Sequence, residues 1–322
     1  MNRRDFLLRS GAAVSLGLLA RHSLRAEIPA PGAVPDAPAA KPMPVQAPTP
    51  VTEFKALRRN IGTFTGRGGT IGWLVSPDAA VIVDTQFPDT ATLCLAGLPG
   101  LGKRPLDAVI NTHHHWDHTA GNKIFKPATK LLVAHRSVPA LQAAAAERNP
   151  QQGEPVFPDT LFPDVWRRDV GDEVVSAQHF GPSHTGGDSV VFFERAQVAH
   201  VGDLVFNRIY PVTDRPGGTN VRHWITALED LVKVYPQDTL YVFGHGKREF
   251  GVTGGRADVL VQRDFLSALV DHVAKAIQAG QSRDEIVKLT NLPGFPDHFA
   301  AQSSRLPANL GAVYDELTGA PA

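Results

Sequence analysis

The sequence predicts a layered α/β domain whose helices lie outside its sheets. Strand-like and helix-like segments alternate through two successive blocks of the chain, and no short repeat is present. Of the 322 residues, 43% are hydrophobic and 20% are charged, which is a globular composition with enough apolar side chains for a sizeable core. This length allows one large domain or two small ones.

The first block alternates short β-prone runs with helical segments. Ser76-Pro77-Asp78 is a turn between the first two strands, and Pro99-Gly100 ends the first helix. The strand before the histidine-rich segment is apolar and is expected to be buried. The predicted strands are residues 71–75, 80–84, 106–112 and 130–135, and the predicted helices are residues 89–98, 118–125 and 137–147.

The second block begins after a stretch that proline and glycine interrupt, residues 148–164, which we predict to be a long loop. Three strands follow, then a helix, a strand and a long helix, and two shorter helices end the chain. The helices after Arg256 either cover the sheets or form a homodimer surface. The predicted strands are residues 173–180, 189–194, 197–203 and 239–244, and the predicted helices are residues 221–235, 256–280, 283–291 and 303–316.

The first 26 residues have the composition of an export signal. Arg3 and Arg4 precede Phe6-Leu7 and a weakly apolar run, and this order resembles a twin-arginine signal peptide. The apolar run is too short and too mild for a stable membrane span. We therefore predict a signal peptide at 1–26, a periplasmic location, a Pro/Ala-rich linker at 27–50 and a folded domain at 51–322.

Charge and cysteine content exclude some functions. Without its first 26 residues the chain has 27 Lys+Arg against 31 Asp+Glu, a net charge of −4, so it has no electrostatic footprint for nucleic acid. The single cysteine, Cys94, lies in an apolar stretch, and we predict a buried, inert thiol. A small-molecule substrate is the expected partner.

Four metal-capable side chains follow the strand predicted at 106–112. His113 and His115 are two residues apart, so on an extended segment they point to the same side and can converge on one ion. Asp117 and His118 come where the chain turns into a helix. Burying these four groups together would be costly without a cation. Histidine and carboxylate ligands suit zinc and also iron or manganese. His114 alternates with the ligands and should point away.

Three later residues have the same character. His184 lies in a loop between two predicted strands, Asp203 ends a strand, and His245 follows another. Glycines stand beside each of them, and there the backbone can approach an ion closely. Asp188 is expected to hydrogen-bond one of the histidine ligands.

The complete pattern resembles the metallo-β-lactamase superfamily, and especially its glyoxalase II-like and lactonase-like hydrolases. His-x-His-x-Asp-His is followed by a histidine 66 residues on, an aspartate 19 further and a histidine 42 further. The resemblance implies a four-layer αβ/βα sandwich with two zinc ions at one edge. It assigns the first ion to His113, His115 and His184, the second to Asp117, His118 and His245, and makes Asp203 the bridge.

The resemblance also implies a mechanism. A hydroxide that bridges the two ions attacks an ester, thioester, lactone or amide, and Asp117 orients that hydroxide. By position in the chain, Trp166 and Tyr210 are the predicted substrate contacts.

Two other activities stay open at this stage, besides a metal-loaded protein without catalysis. A β-lactamase of this superfamily usually carries cysteine or serine where this chain has Asp203. A mononuclear iron persulfide dioxygenase would use only His113, His184 and Asp203.

Overall fold

The chain folds into two packed sheets, and the computed structural model describes residues 51–299 and 301–321. The predicted signal peptide and linker lie outside these residues. The first sheet has seven strands in chain order, antiparallel from β1 to β4 and parallel from β4 to β7. They are β1 (Glu53–Ala56), β2 (Ile61–Thr65), β3 (Ile71–Val75), β4 (Ala80–Val83), β5 (Ala108–Ile110), β6 (Leu132–His135) and β7 (Thr160–Phe162).

The second sheet has six strands in the order β15-β13-β11-β10-β9-β8, and β12 pairs with β14 beside it. Strands β11 and β13 pair in parallel, so the carboxyl ends of both strands lie at the same edge of the sheet. The strands are β8 (Val165–Val170), β9 (Glu173–Gln178), β10 (Val190–Phe193), β11 (Val198–His200), β12 (Phe206–Asn207), β13 (Leu240–Val242), β14 (His245–Gly246) and β15 (Thr253–Gly254).

Eight α-helices lie within the described residues. They are α1 (Pro88–Gly97), α2 (Trp116–Thr119), α3 (Asn122–Phe125), α4 (Val138–Arg148), α5 (Val221–Val234), α6 (Arg256–Gln278), α7 (Arg283–Ile286) and α8 (Arg305–Thr318). Among these residues no helix is both long enough and apolar enough to cross a membrane.

Period-two burial divides the core into three layers of side chains. In β4, Val81 and Val83 face the second sheet, whereas Ile82 packs toward α1 and Cys94. In β10, Val191 and Phe193 face the first sheet, and the alternate residues pack under α5, α6 and α8. The result is helix, sheet, sheet and helix in succession, which confirms the predicted α/β sandwich.

The C-terminal helices complete the core on the outer face of the second sheet. Phe265 and Leu269 of α6 and Leu310 of α8 are buried there with Trp224 of α5. These helices therefore cover the sandwich, and a homodimer surface stays a prediction. Cys94 is buried on the opposite outer face, and burial raises the pKa of its thiol, as an inert cysteine requires.

Several predicted boundaries differ from the structure. The stretch predicted as one loop contains a 3-10 turn (Pro150–Gln152) and the short strand β7, because residues 160–162 pair with β6. The helix predicted at 118–125 is two single turns, α2 and α3. The strand predicted at 197–203 ends at His200. A 3-10 turn (Gly202–Leu204) follows it and carries Asp203 away from the sheet.

Candidate metal centre

Parallel strands deliver the candidate ligands to one edge of the sandwich. His113 follows β5, and His115 is the N-cap residue of α2, which carries Asp117 and His118. From the second sheet, Asp203 follows β11 and His245 follows β13. The carboxyl ends of neighbouring parallel strands meet at one edge, which is why residues far apart in sequence come together.

The first group of side chains consists of His113, His115, His184 and Asp203, and one ligand atom of each lies within 4.8 Å of the others. Nε2 of His184 lies 3.0 Å from Nδ1 of His115. Oδ2 of Asp203 lies 3.5 Å from Nε2 of His184 and 3.9 Å from Nε2 of His113. Three histidine nitrogens and one carboxylate oxygen therefore converge on a common point.

The second group consists of Asp117, His118 and His245, whose ligand atoms also lie within 4.8 Å of one another. Nε2 of His245 lies 3.1 Å from Oδ2 of Asp117 and 3.3 Å from Nε2 of His118. Asp203 reaches this group too, because its Oδ1 lies 3.0 Å from Nε2 of His118 and its Oδ2 lies 3.5 Å from Nε2 of His245. Asp203 therefore stands between the two groups.

Two glycines make this close arrangement possible. A Cβ atom at Gly69 would lie 2.1 Å from the ring of His118, and a Cβ atom at Gly244 would lie 1.9 Å from Oδ1 of Asp203. Only a residue without a side chain fits at either position.

The pKa values of histidines in the two groups are shifted in opposite directions. Burial, and then repulsion from neighbouring histidines, lowers the pKa of His113 and of His184 well below the usual histidine value. Burial also opposes protonation of His245, but the carboxylates of Asp203 and Asp117 outweigh it and raise the pKa of His245 to about 9. The pKa of His118 is raised well above its usual range, again against burial, by the same carboxylates.

The aspartates of the centre are held as carboxylates. Burial alone would raise the pKa of Asp203, but the positive charge of His118 and His245 lowers it well below its usual range. The pKa of Asp117 is also lowered, since His118 and His245 outweigh its burial.

This donor set fits a bound metal. Among the described residues, Nε2 of His113 is buried without a hydrogen-bond partner, although it points toward Asp203. Two pairs of imidazole nitrogens lie 3.0 and 3.3 Å apart, and a cation bound at each pair would stabilise this close approach. Nitrogen and carboxylate donors suit zinc, iron or manganese.

Two aspartates that were not predicted from the sequence contact ring nitrogens of His118 and His115 on the side away from the centre. Oδ2 of Asp84, at the end of β4, lies 2.7 Å from Nδ1 of His118. Oδ2 of Asp214 lies 3.2 Å from Nε2 of His115 and 3.5 Å from Nε2 of the buried His114. His114 points toward Asp214 and does not belong to the first group. The one sequence signal for Asp84 was its place at the end of the strand predicted at 80–84, whereas Asp214 lies in a loop.

The prediction that Asp188 holds a histidine ligand is wrong. Its carboxylate accepts hydrogen bonds from the backbone N–H of Thr185 and from the Thr185 hydroxyl, both at 2.7 Å. This short turn satisfies Asp188 locally and shapes the loop that carries His184. Burial raises the pKa of Asp188 to about 7.

The two predicted substrate contacts occupy packing positions. Tyr210 is 3% exposed, and its ring stacks on Phe265 at 5.4 Å between centroids. Trp166 lies on β8, opposite Ala177, and packs against the core between the sheets. Contact of either residue with a substrate stays a prediction.

The chain belongs to the metallo-β-lactamase superfamily. The model of that family, described as "Metallo-beta-lactamase superfamily", matches residues 64–245, which include all seven side chains of the two groups. Membership and the convergent His/Asp cluster together support a metal cofactor.

Two relatives show how broad the similarity is. The metallo-beta-lactamase type 2 of Bacillus cereus is 28% identical over 191 residues, which cover 58% of this chain and 71% of that protein. The hydroxyacylglutathione hydrolase of Brucella anthropi is 25% identical over 199 residues, which cover 59% of this chain and 66% of that protein.

A solved structure shows the same fold. The stereoselective inverting sec-alkylsulfatase Pisa1 from Pseudomonas sp. superposes with a TM-score of 0.64 at 17% sequence identity, over 84% of this chain. The chain spans about half the length of that enzyme, because the match covers 50% of it.

Proposed function

We propose that this chain is a zinc-dependent hydrolase that cleaves an ester, thioester, lactone or amide. The observation that supports this most strongly is the position of Asp203, whose two carboxylate oxygens face both groups of metal-capable side chains. Two zinc ions bound there would supply hydroxide at neutral pH and would polarise the carbonyl oxygen of the substrate.

In this proposal each part of the chain has a defined task. The first group lies deepest and would hold one ion through His113, His115, His184 and Asp203. Asp117 is about one third exposed, and its Oδ2 is held 3.1 Å from Nε2 of His245. A carboxylate in this position can accept a hydrogen bond from the attacking water and orient it, in addition to acting as a ligand. No serine or cysteine nucleophile is required.

A β-lactamase is the second candidate, and the similarity to the Bacillus cereus enzyme favours it. Against it stands the carboxylate of Asp203, because the resemblance to the superfamily implies cysteine or serine at this position in a β-lactamase. The third candidate is the mononuclear iron persulfide dioxygenase, which would leave the second group without a role.

Metal analysis of purified protein, combined with a substrate panel, separates these candidates. Chromogenic ester, lactone, thioester, amide and cephalosporin substrates are assayed before and after chelation and after zinc is restored. The proposal expects two zinc ions per chain and chelation-sensitive hydrolysis outside the cephalosporin class. One iron per chain without hydrolysis would refute it, and turnover of the cephalosporin alone would establish the second candidate.

A matched pair of variants ties the activity to the centre. His245→Ala removes a second-group ligand, whereas His272→Ala makes the same change on α6, outside both groups. We expect a large loss of hydrolysis only in His245→Ala. Equal activity of the two variants would assign the hydrolysis to another site or to a contaminant.

We also propose that residues 1–26 direct the protein to the periplasm. The support is the order of Arg3, Arg4 and the apolar run in the sequence. Cell fractionation of the wild type and of a variant with Arg3→Lys and Arg4→Lys tests this. Export that the double substitution leaves unchanged would contradict a twin-arginine route.

A further inference from the structure

Asp214 connects two of the three histidines of the first group through a single loop. Its Oδ2 lies 3.2 Å from Nε2 of His115, while the opposite nitrogen of that ring, Nδ1, faces His184 at 3.0 Å. The ring of His115 therefore lies between a carboxylate and the point where the first group converges.

The same loop also holds the backbone of His184. The Thr219 hydroxyl donates a 2.6 Å hydrogen bond to the carbonyl oxygen of His184 and accepts one of 2.8 Å from the backbone N–H of Asp214. Two further backbone bonds, from Gly186 to Gly217 and from Asn220 to Ser183, join the two loops at 2.9 Å each.

The carboxylate of Asp214 has little freedom to turn. Its Oδ1 accepts the backbone N–H of Gly217 at 3.1 Å, and a Cβ atom at Gly217 would lie 2.0 Å from Oδ2. The aspartate is thus fixed by its own turn, with Oδ2 directed at the rings of His115 and His114.

We propose that Asp214 is a positioning residue, which keeps the proton of His115 on Nε2 and so presents the Nδ1 lone pair to the ion of the first group. A neutral imidazole carries one N–H and one lone pair, and the partner of the N–H decides which nitrogen is which. A carboxylate accepts hydrogen bonds only, so it selects the tautomer that has its proton on Nε2. The inference rests on the proposed function in one respect, since it requires an ion at the first group.

The test measures metal binding and the His115 tautomer without any substrate. Asp214→Ala and Asp214→Asn are made in a His245→Ala background, where the second group lacks a ligand and the first group is observed alone. Competition with a chromogenic chelator gives the zinc dissociation constant, and nitrogen-15 NMR of the metal-free protein reports which His115 nitrogen carries the proton.

We expect Asp214→Ala to raise the zinc dissociation constant about 10- to 100-fold and to populate the other tautomer of His115. Asp214→Asn should have a smaller effect, because its one amide oxygen can serve His115 or the N–H of Gly217. Asp230→Ala, which removes an exposed carboxylate of α5, is the matched control and should leave both readings unchanged.

An unchanged dissociation constant and an unchanged His115 tautomer in Asp214→Ala would overturn the inference, even if the variant is less stable to heat. If Asp214→Ala does not fold, the tautomer and affinity of Asp214→Asn decide. The outcome is separate from that of the proposed function. A chain that binds zinc but hydrolyses nothing leaves the role of Asp214 standing, and an active hydrolase indifferent to Asp214→Ala refutes this role alone.

Discussion

The two groups of metal-capable side chains differ in how much water reaches them. In the first, the side chains of His113, His184 and Asp203 are at most 2% exposed and that of His115 is 16% exposed. In the second, His118 is fully buried, but Asp117 is 32% exposed and His245 is 25% exposed. The first group is the floor of the centre, and the second forms its open side, where water and substrate can enter.

The groups differ in charge for the same reason. Burial lowers the pKa of His113 and His184, so these two rings can accept a cation without losing a proton. The second group lies among carboxylates that hold protons on its histidines. The comparison shows that one group is prepared for a cation in advance, whereas the other must exchange protons for it.

Asp203 belongs to the first group and also contacts His118 and His245 of the second, so its loss should have the largest effect. We expect Asp203→Ala to release both ions and to lower kcat/KM by roughly a thousandfold or more, because a metal contributes several kcal/mol to catalysis. Metal content and kinetics against a good panel substrate measure this. Asp238→Ala, at a position outside both groups, is the control. An Asp203→Ala protein that keeps two ions would show that the carboxylate does not bridge.

Variants that remove a single ligand test whether each group binds its own ion. We expect His245→Ala to lose the ion of the open group and retain that of the floor, because His245 is not one of the four first-group ligands. His184→Ala should lose the floor ion. Each should lower kcat/KM by about 100-fold or more, since at least one of the metal's roles is removed. Metal stoichiometry during dialysis at rising chelator concentration distinguishes the two. The same residual stoichiometry and affinity in both variants would contradict two separable sites.

Asp84 provides a smaller and more local test. We expect Asp84→Asn to lower the affinity of the second group for its ion about 10- to 100-fold, because the partner of His118 Nδ1 loses its charge. Asparagine tolerates the positive φ of 60° at this position, so the backbone can stay as it is. Asp107→Asn, which changes a carboxylate that binds Lys130 and the N–H of Ala80, is the matched control. An effect on the first-group ion instead of the second would reverse the assignment.

The sequence predicted best those elements whose signal is local and long. The amphipathic helices α5 and α6 end within two residues of their predicted bounds, because many residues contribute to their period. The two-residue strands β12, β14 and β15 were not predicted. Backbone pairing alone defines them, and two residues are too few to show a period in hydrophobicity. β7 escaped prediction for the same reason.

The candidate ligands were identifiable because a compact motif and strand ends marked them. The residues that hold the ligands were harder to find. Asp84 and Asp214 are single aspartates 34 and 99 residues from the histidines they contact, and only the folded chain brings them there. Asp188 had the expected chemistry and lay close to His184 in sequence, yet its own turn satisfies it. Sequence proximity therefore predicted the outer partners of the histidines poorly.

The smallest expected effect is the number of protons released on metal binding. The pKa of His245 is about 9 in the metal-free protein, which is above the ordinary histidine value, so this ring carries a proton at pH 7.5 and must lose it to bind an ion. His113 and His184 have lowered pKa values and have no proton to lose at that pH. We expect binding at the second group to release about one proton or more and binding at the first to release fewer. Binding at the second group should also tighten as the pH rises toward about 9, and level off above that.

Calorimetry in buffers of different ionisation enthalpy counts these protons. Wild type reports both groups, and His245→Ala reports the first alone. If proton release is the same in the two proteins, the second group does not bind an ion through His245. If the first-group ion releases as many protons as the second, the neutral histidines inferred from burial are wrong, and with them the distinction between a prepared floor and an open side that must exchange protons.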